Sequence, residues 1–284
     1  MIGETAALTG RALKKWARNP AAVIPGLVTS AFYLALFGSS FNPANLIPSN
    51  GSIPASILAT IKATFVQQAF AGAPTYITFL TAGVVCIIVV FNMAFGGIDL
   101  VLDRQLGYLN TLLVSPIPRA AVYLSGVMQN LAKVELLAVL TFVIALIIPN
   151  GLQLPGSFGV LDVIGVFGVL TLLALGFSFI FTALALSVRS IDSLVAIVNF
   201  LTLPLTFTSN AFFPLTSFPD WLRTVAEVNP ITKANEAARL LIINGALTSD
   251  QVATFVSDAL YLVGFAVVLG LLGYLVSKRA LRPE

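Results

Sequence analysis

Residues 76–96 read YITFLTAGVVCIIVVFNMAFG and contain no charged side chain. The uncharged run around them is longer still and extends from Ala63 to Ile98. A helix needs about 20 predominantly apolar residues to cross the hydrocarbon core of a bilayer. This stretch therefore predicts a membrane-spanning helix.

The composition of the whole chain supports the same interpretation. Hydrophobic residues make up 58% of the 284 residues and charged residues only 10%, whereas soluble domains have roughly 25% charged residues. A water-soluble protein could not cover its surface with so few charges. The sequence therefore predicts an integral membrane protein.

The residue types that are scarce exclude several kinds of chemistry. The chain has no histidine and one cysteine, Cys86, which removes His-based catalytic triads, thiolate metal sites and an intrachain disulfide. It has no Gly-Lys dipeptide, and a phosphate-binding P-loop requires one. We therefore expect neither an enzyme nor a cofactor or metal on this chain.

Six apolar stretches are long enough to span a bilayer, which predicts an all-α membrane protein with six transmembrane helices in one domain. The predicted spans are about 21–41, 76–96, 128–148, 163–186, 193–211 and 259–277. No internal repeat is visible, so an inverted-repeat transporter has no support.

The distribution of Lys and Arg predicts the orientation of these spans. With the N-terminus inside, ten basic residues fall in cytoplasmic segments and four outside. Basic residues favour the cytoplasmic side, so both termini are predicted to be cytoplasmic, in a multi-pass protein of the cell membrane.

Residues 1–19 precede the first predicted span and show the pattern of an amphipathic helix. Four basic residues share one face and three apolar residues share another: Arg11, Lys14, Lys15 and Arg18, and Leu8, Ala12 and Trp16. This pattern favours a helix that lies in the cytoplasmic interface, although an ordinary basic flank is the alternative.

Two charged residues lie well inside a predicted span, Lys133 and Glu135. Ionisable groups at such positions mark either a function or a structural pairing. We favour a structural role, in which Lys133 extends to the interface and Glu135 bonds a neighbouring helix. A carrier coupled to protons or ions would need an acidic residue near mid-bilayer, and Glu135 is the one weak candidate.

The segment 99–118, between the second and third spans, carries the periodicity of a cytoplasmic helix. Its leucines recur at helical spacing: Leu102, Leu106, Leu109 and Leu113. Ser115-Pro116-Ile117-Pro118 then ends the pattern, because proline cannot continue a helix. A short helix followed by a rigid turn could dock into another protein and transmit force.

The outer segment 212–240, between the fifth and sixth spans, is too apolar for a solvated loop and too interrupted for a span. It predicts a short helix from Pro219 to Val228 that partly re-enters the membrane, where irregular backbone must be buried in protein or line a cavity. The alternative is that its aromatic residues lie at the interface alone.

Together these two segments resemble the membrane subunits of ABC type-2 exporters, a group that contains drug-resistance, sodium-efflux and nodulation-factor permeases. One signature is Asp103-Arg104-Gln105-Leu106-Gly107 followed by Leu112-Leu113-Val114-Ser115-Pro116. The other combines Phe212-Phe213-Pro214-Leu215, Pro219-Asp220-Trp221-Leu222, Asn229-Pro230 and Arg239. The chain departs from the group at Gly107-Tyr108-Leu109-Asn110, where members often have Gly-Thr-Leu-Glu.

The resemblance implies a type-V exporter fold, in which residues 1–19 form a connecting helix and 99–118 the coupling segment. The residues expected to couple the chain to its ATPase are Asp103, Arg104, Gly107, Leu109, Ser115 and Pro116. The residues expected to line the substrate route are Phe91, Asn92 and Phe95 of the second span, and Asn199, Thr202, Pro204, Thr206, Thr208 and Asn210 at the fifth. For the residues at the fifth span, a seam between packed helices is the alternative. The expected extracellular gate comprises Phe212, Phe213, Pro214, Pro219, Trp221, Asn229 and Pro230.

The same resemblance implies a set of partners. Two copies of a separate ATP-binding subunit would carry ATP and Mg, and a second permease, identical or paralogous, would complete the route through membrane lipid; no nucleic acid is expected. The apolar route favours amphiphilic or lipid-like compounds, including drugs. A secondary carrier or channel that works alone remains the alternative, and an intramembrane enzyme or scaffold is a third.

Overall fold

The computed structural model describes residues 2–18, 24–40, 57, 61, 64, 70–115, 117–148 and 151–280. Within these ranges every regular element is a helix, as predicted. The helices are α1 (Ile2–Ala17), α2 (Ile24–Ser40), α3 (Tyr76–Phe95), α4 (Ile98–Gln105), α5 (Tyr108–Val114), α6 (Arg119–Ile147), α7 (Val160–Ser187), α8 (Ile191–Phe207), α9 (Asp220–Glu227), α10 (Pro230–Asn244) and α11 (Ser249–Ala280). A 3₁₀ turn at Leu215–Ser217 precedes α9.

Helix α3 is the centre of the molecule. It packs against α2, α6, α7, α8 and α10, and its residues are buried almost throughout, from Tyr76 to Val90 without a break. A helix that is apolar on every side is buried in this way. Thr75 begins it, since its hydroxyl accepts a hydrogen bond from the backbone N–H of Thr78 at 3.1 Å.

Four of the described helical stretches are long and apolar enough to cross a bilayer: Tyr76–Gln105, Arg119–Ile147, Val160–Ser187 and Ser249–Ala280. Two shorter apolar helices, Ile24–Gly38 and Ile191–Phe207, accompany them. At 1.5 Å per residue the latter is about 26 Å long, slightly less than the hydrocarbon core of about 30 Å. The count of six spans therefore stays a prediction.

The boundaries of several helices differ from the predicted spans, and two of these helices include charged residues at their ends. α6 begins at Arg119, directly after Pro118, and α11 extends over 32 residues. α8 ends at Phe207, four residues before the predicted end of the fifth span. Residues 21–23 and 41 of the first predicted span, and residues 42–56 after it, lie outside the described residues.

The leucine pattern of residues 99–118 does not form the one continuous helix that its periodicity predicts. Gly107 has a φ of 76° and separates α4 from α5. This left-handed conformation is accessible to glycine at little cost and ends a helix. As a result Leu109 is buried but Leu106 is 78% exposed, so the prediction that Leu106 shares the apolar face is wrong.

We expect a cysteine at Ser249 to react with a membrane-impermeant thiol reagent from outside and a cysteine at Lys278 to react only after permeabilisation. Both positions are exposed, at opposite ends of α11. A Cys86→Ala background, which removes a buried thiol, prevents competing reaction. Labelling of the Lys278 position in intact cells would contradict the predicted orientation.

Candidate functional site

Arg239 of α10 ties the outer segment to the central helix. Its side chain is buried, with 6% exposed. Nε donates a hydrogen bond to the backbone oxygen of Phe79 in α3 at 3.1 Å, and a terminal nitrogen donates to the backbone oxygen of Ala211 at 3.1 Å. The guanidinium carbon also lies 3.5 Å from the centroid of the Phe79 ring, a cation–π contact.

The backbone before the outer segment approaches α3 closely at Gly83. A methyl group at Gly83 would overlap the carbonyl oxygen of Ala211. Only a residue without a side chain lets the 211 backbone lie against α3 in this way. Tyr76, at the start of α3, adds a hydrogen bond from its hydroxyl to the backbone oxygen of Phe212 at 3.2 Å.

A buried polar network holds the same turn against α10. The amide nitrogen of Asn235 donates to the side-chain oxygen of Asn210 at 2.8 Å and to its backbone oxygen at 3.2 Å. The backbone N–H of Asn210 reaches the hydroxyl of Thr232 at 3.3 Å, and its side chain reaches Glu236 at 3.3 Å. Asn210 is thus a structural link between α8 and α10.

Asn229 and Pro230 begin α10 and connect it to α8. The side-chain oxygen of Asn229 accepts from the backbone N–H of Ile231 at 2.9 Å, the bond of an N-cap. Its amide nitrogen donates to the backbone oxygen of Leu205 at 2.7 Å and to the hydroxyl of Thr208 at 3.1 Å. Pro230 stands at the first helical position, where no N–H partner is needed.

An aromatic cavity of about 460 Å³ lies between α2, α3, α8 and the outer segment. None of the described residues that line it is charged. They are Tyr33, Phe37, Phe91, Leu203, Thr206, Phe207, Ser209, Phe212, Phe213, Phe218 and Leu222. The ring of Phe212 lies 5.3 Å from that of Phe37 and 5.8 Å from that of Tyr33, centroid to centroid.

The aromatic cavity brings together some of the predicted route residues. Phe91 of α3 and Thr206 of α8 line it. Asn92 and Phe95 line a separate, smaller cavity at the junction of α3, α4 and α6. Thr202 is buried and bonds the backbone oxygen of Val198 in its own helix at 2.8 Å, whereas Asn199 is half-buried and Pro204 is exposed on α8.

The predicted gate residues divide in the same way. Phe212 and Phe213 line the aromatic cavity, while Pro214 lines a second cavity of about 400 Å³ beside Arg239. The short helix α9 begins at Asp220, directly after Pro219, as predicted. Trp221, however, is 70% exposed and does not line the aromatic cavity, whereas its neighbour Leu222 does.

At the other end of the molecule, Arg104 fastens the predicted coupling segment to α7. Its guanidinium donates to the backbone oxygens of Leu186 and Val188, the latter at 3.0 Å. These carbonyls belong to the last turn of α7 and its cap, which lack partners within the helix. Ser115 ends α5, and Pro116 lies outside the described residues.

Helix α1 contacts the coupling segment through two charged residues. The ammonium of Lys15 lies 3.5 Å from a carboxylate oxygen of Asp103. The guanidinium carbon of Arg11 lies 3.8 Å from the ring centroid of Tyr108. The sequence did not predict this pairing, because the two segments are far apart in the chain.

The two charged residues predicted inside the third span have partners. Glu135 accepts a hydrogen bond from the hydroxyl of Thr171 in α7 at 2.8 Å, as expected of a helix-to-helix bond. Lys133 is paired as well: its ammonium lies 2.8 Å from a carboxylate oxygen of Asp99 in α4. The sequence did not predict this partner.

A sequence model of the ABC-2 type transporter family matches residues 3–243. The chain belongs to the ABC-2 type transporter family. It is 26% identical over 247 residues to the protein named "Putative transport permease ycf38" of Porphyra purpurea, covering 86% of this chain and 75% of that protein. Proteins of the same name from Pyropia yezoensis and Cyanophora paradoxa are 28% identical over 85% of this chain and 74% of theirs, and 27% identical over 99% and 90%.

Membership confirms the resemblance drawn from the two signatures. The chain is a multi-pass membrane permease, the transport subunit of an ABC transporter, and the family implies an ATP-binding partner subunit. Three residues of the second signature, Phe212, Asn229 and Arg239, join the outer segment to α3 and α8.

We expect Arg239→Lys to destabilise the folded permease by about 1–3 kcal/mol, the cost of leaving buried hydrogen-bonding groups unpaired. Lysine keeps the charge but lacks the planar, forked guanidinium that lets arginine bond the carbonyls of Phe79 and Ala211 together. The measurement is thermal unfolding of the purified chain in detergent. Arg119→Lys, at an exposed position, is the control, and equal melting of both variants would contradict the assigned role.

Gly83→Ala should weaken the attachment of the 211 backbone, because the added methyl group overlaps the Ala211 carbonyl. Overpacking of a close contact typically costs 1–3 kcal/mol. Gly168→Ala is a matched control, since a methyl group there meets no atom within 4 Å. Proteolysis of the outer segment should accelerate in the Gly83 variant alone; the same rate in both would contradict the close approach.

Proposed function

We propose that this chain is the permease of an ATP-driven exporter that moves amphiphilic or lipid-like compounds, including drugs, out of the cell. The observation that carries the proposal is the aromatic cavity between α2, α3, α8 and the outer segment. An uncharged aromatic wall binds apolar bodies through burial and ring contacts and offers nothing to compensate an ion. A compound with an apolar body and a polar end fits such a cavity.

In this proposal two permease copies, identical or paralogous, form the route, and two ATP-binding subunits with ATP and Mg supply the energy. With six spans in the cell membrane and both termini in the cytoplasm, the outer segment would lie outside the cell. Helices α4 and α5 would then lie on the cytoplasmic face, where the ATP-binding subunit docks. Asp103, Arg104, Gly107, Leu109, Ser115 and Pro116 are proposed as the coupling residues. A stand-alone carrier or channel is the alternative that the experiments below would reveal.

The contacts of Arg104 support a defined role in coupling. Its guanidinium joins α4 to the end of α7, and α7 packs along α11 and α10. Movement of the coupling segment would therefore be transmitted to α7 through two hydrogen bonds to backbone oxygens. In this arrangement Arg104 positions the segment and need not touch the ATPase.

The direct test is transport in proteoliposomes that contain the permease and its ATP-binding subunit. We expect a fluorescent amphiphile with an uncharged polar end to be moved only with hydrolysable ATP and Mg. Transport by the permease alone, driven by an ion gradient, would overturn the proposal in favour of the secondary carrier.

Arg104→Ala should reduce amphiphile-stimulated ATP hydrolysis while basal hydrolysis and assembly of the complex persist. The reason is that α4 loses its connection to α7, which is not needed for the ATPase to bind nucleotide. Arg119→Ala, which changes an exposed arginine at the start of α6, is the control. Full stimulation in the Arg104 variant would contradict the proposed transmission.

Phe212→Ala should make the route leaky or less selective, because the ring that contacts Tyr33 and Phe37 is removed. Passive leak of the amphiphile and its ATP-driven efflux are measured in the same vesicles. Trp221→Ala serves as a control, since this exposed side chain does not line the aromatic cavity. Equal effects of the two changes would show that the segment acts only as an interfacial anchor.

A further inference from the structure

A separate polar cavity of about 180 Å³ lies beneath α1, at the junction of α3, α4 and α6. Asp99, Asn130 and Lys133 form its polar wall, and Phe95 and Leu137 are part of its apolar wall. Trp16 of α1 lines it as well. Asn92 and Phe95, which were expected on the substrate route, line this cavity, but the aromatic cavity on which the proposed function rests is a separate one.

Asn130 is the unusual member of this wall. Its side chain is 1% exposed, and neither its amide nitrogen nor its amide oxygen has a hydrogen-bond partner within the described part of the chain. Buried polar groups in proteins nearly always find a partner. The cavity is far larger than one water molecule requires, so a larger polar group can supply the missing hydrogen bonds.

The charges of the cavity restrict what that group can be. The ammonium of Lys133 lies 2.8 Å from a carboxylate oxygen of Asp99, with the lysine side chain 10% exposed and the aspartate side chain 41% exposed. An ammonium has three donors, and Asp99 is the one partner of Lys133 within the described residues. A purely anionic ligand would be repelled by the carboxylate of Asp99, and a purely cationic ligand would be repelled by the ammonium of Lys133.

We propose that this cavity binds the phosphoethanolamine headgroup of a membrane phospholipid. Lys133 and the amide nitrogen of Asn130 donate to the phosphate oxygens, and the carboxylate of Asp99 accepts from the lipid ammonium. Phe95 and Leu137 contact the glycerol and the first acyl carbons. Trp16 suits this position because tryptophan is enriched where headgroups meet the hydrocarbon.

This lipid is a bound ligand and not the transported compound, so the assignment goes beyond the proposed function. It also does not require an ATP-binding subunit. The test uses the full-length permease in mild detergent, incubated with phosphatidylethanolamine, phosphatidylglycerol and phosphatidylcholine of matched chains. Native mass spectrometry then counts the retained lipid, and we expect phosphatidylethanolamine to be retained preferentially.

Asn130→Leu should lower the apparent affinity for phosphatidylethanolamine about tenfold, equivalent to roughly 1.4 kcal/mol, because its donor to the phosphate is lost. Thr141→Val, which alters a buried polar residue elsewhere on α6, should retain the lipid like the natural chain. Unchanged retention in the Asn130 variant would overturn the proposal.

Asp99→Asn provides a second test at a partly exposed side chain. It therefore does not depend on whether a buried position accepts a substitution. Without the carboxylate, the charge of Lys133 is uncompensated, so the preference should shift from phosphatidylethanolamine to phosphatidylglycerol. An unchanged ratio, or equal retention of all three lipids by the natural chain, would overturn the proposal. If soluble glycerophosphoethanolamine displaced phosphatidylethanolamine at equal concentration, the ligand would be a soluble headgroup compound and the proposal of a membrane lipid would be overturned.

Discussion

The N–H groups of a buried guanidinium need hydrogen-bond acceptors, because arginine stays charged in proteins and keeps all of its donors. Arg239 finds them in the backbone oxygens of Phe79 and Ala211. The side chain therefore fixes three elements at one point: α10, the central helix α3 and the turn that follows α8. The glycine at position 83, the polar network around Asn210 and the cap at Asn229 all act on the same junction.

Much of the architecture could be predicted from local patterns. Uninterrupted apolar residues predict α3 and α7 because burial requires no specific partner, and Pro219 predicts the start of α9 because proline fixes the first turn. The break at Gly107 was missed, since leucine spacing alone does not reveal a left-handed residue. The pairing of Asp99 with Lys133 could not be predicted either, because the two residues are distant in the sequence and lie on different helices.

The candidate site was predicted only in part, for a similar reason. The aromatic residues of the outer segment stood out in the sequence, but Tyr33 and Phe37 of α2, which complete the cavity, are ordinary residues of an apolar run. Asn210 bonds Asn235 and Glu236 of α10, and its place on the route stays a prediction. The residue type indicates a polar contact, but the partner depends on how α10 packs beside it.

Amide hydrogen exchange over α10 tests most directly whether the outer segment is part of the packed helical core. We expect Ile231–Ile242 to be protected nearly as strongly as α3 in the natural chain, because its inner face is buried and joined to α3. Arg239→Lys should remove much of that protection while α3 keeps its own. Exchange of α10 in the natural chain as fast as that of the exposed helix α9 would contradict the packing of the outer segment on α3.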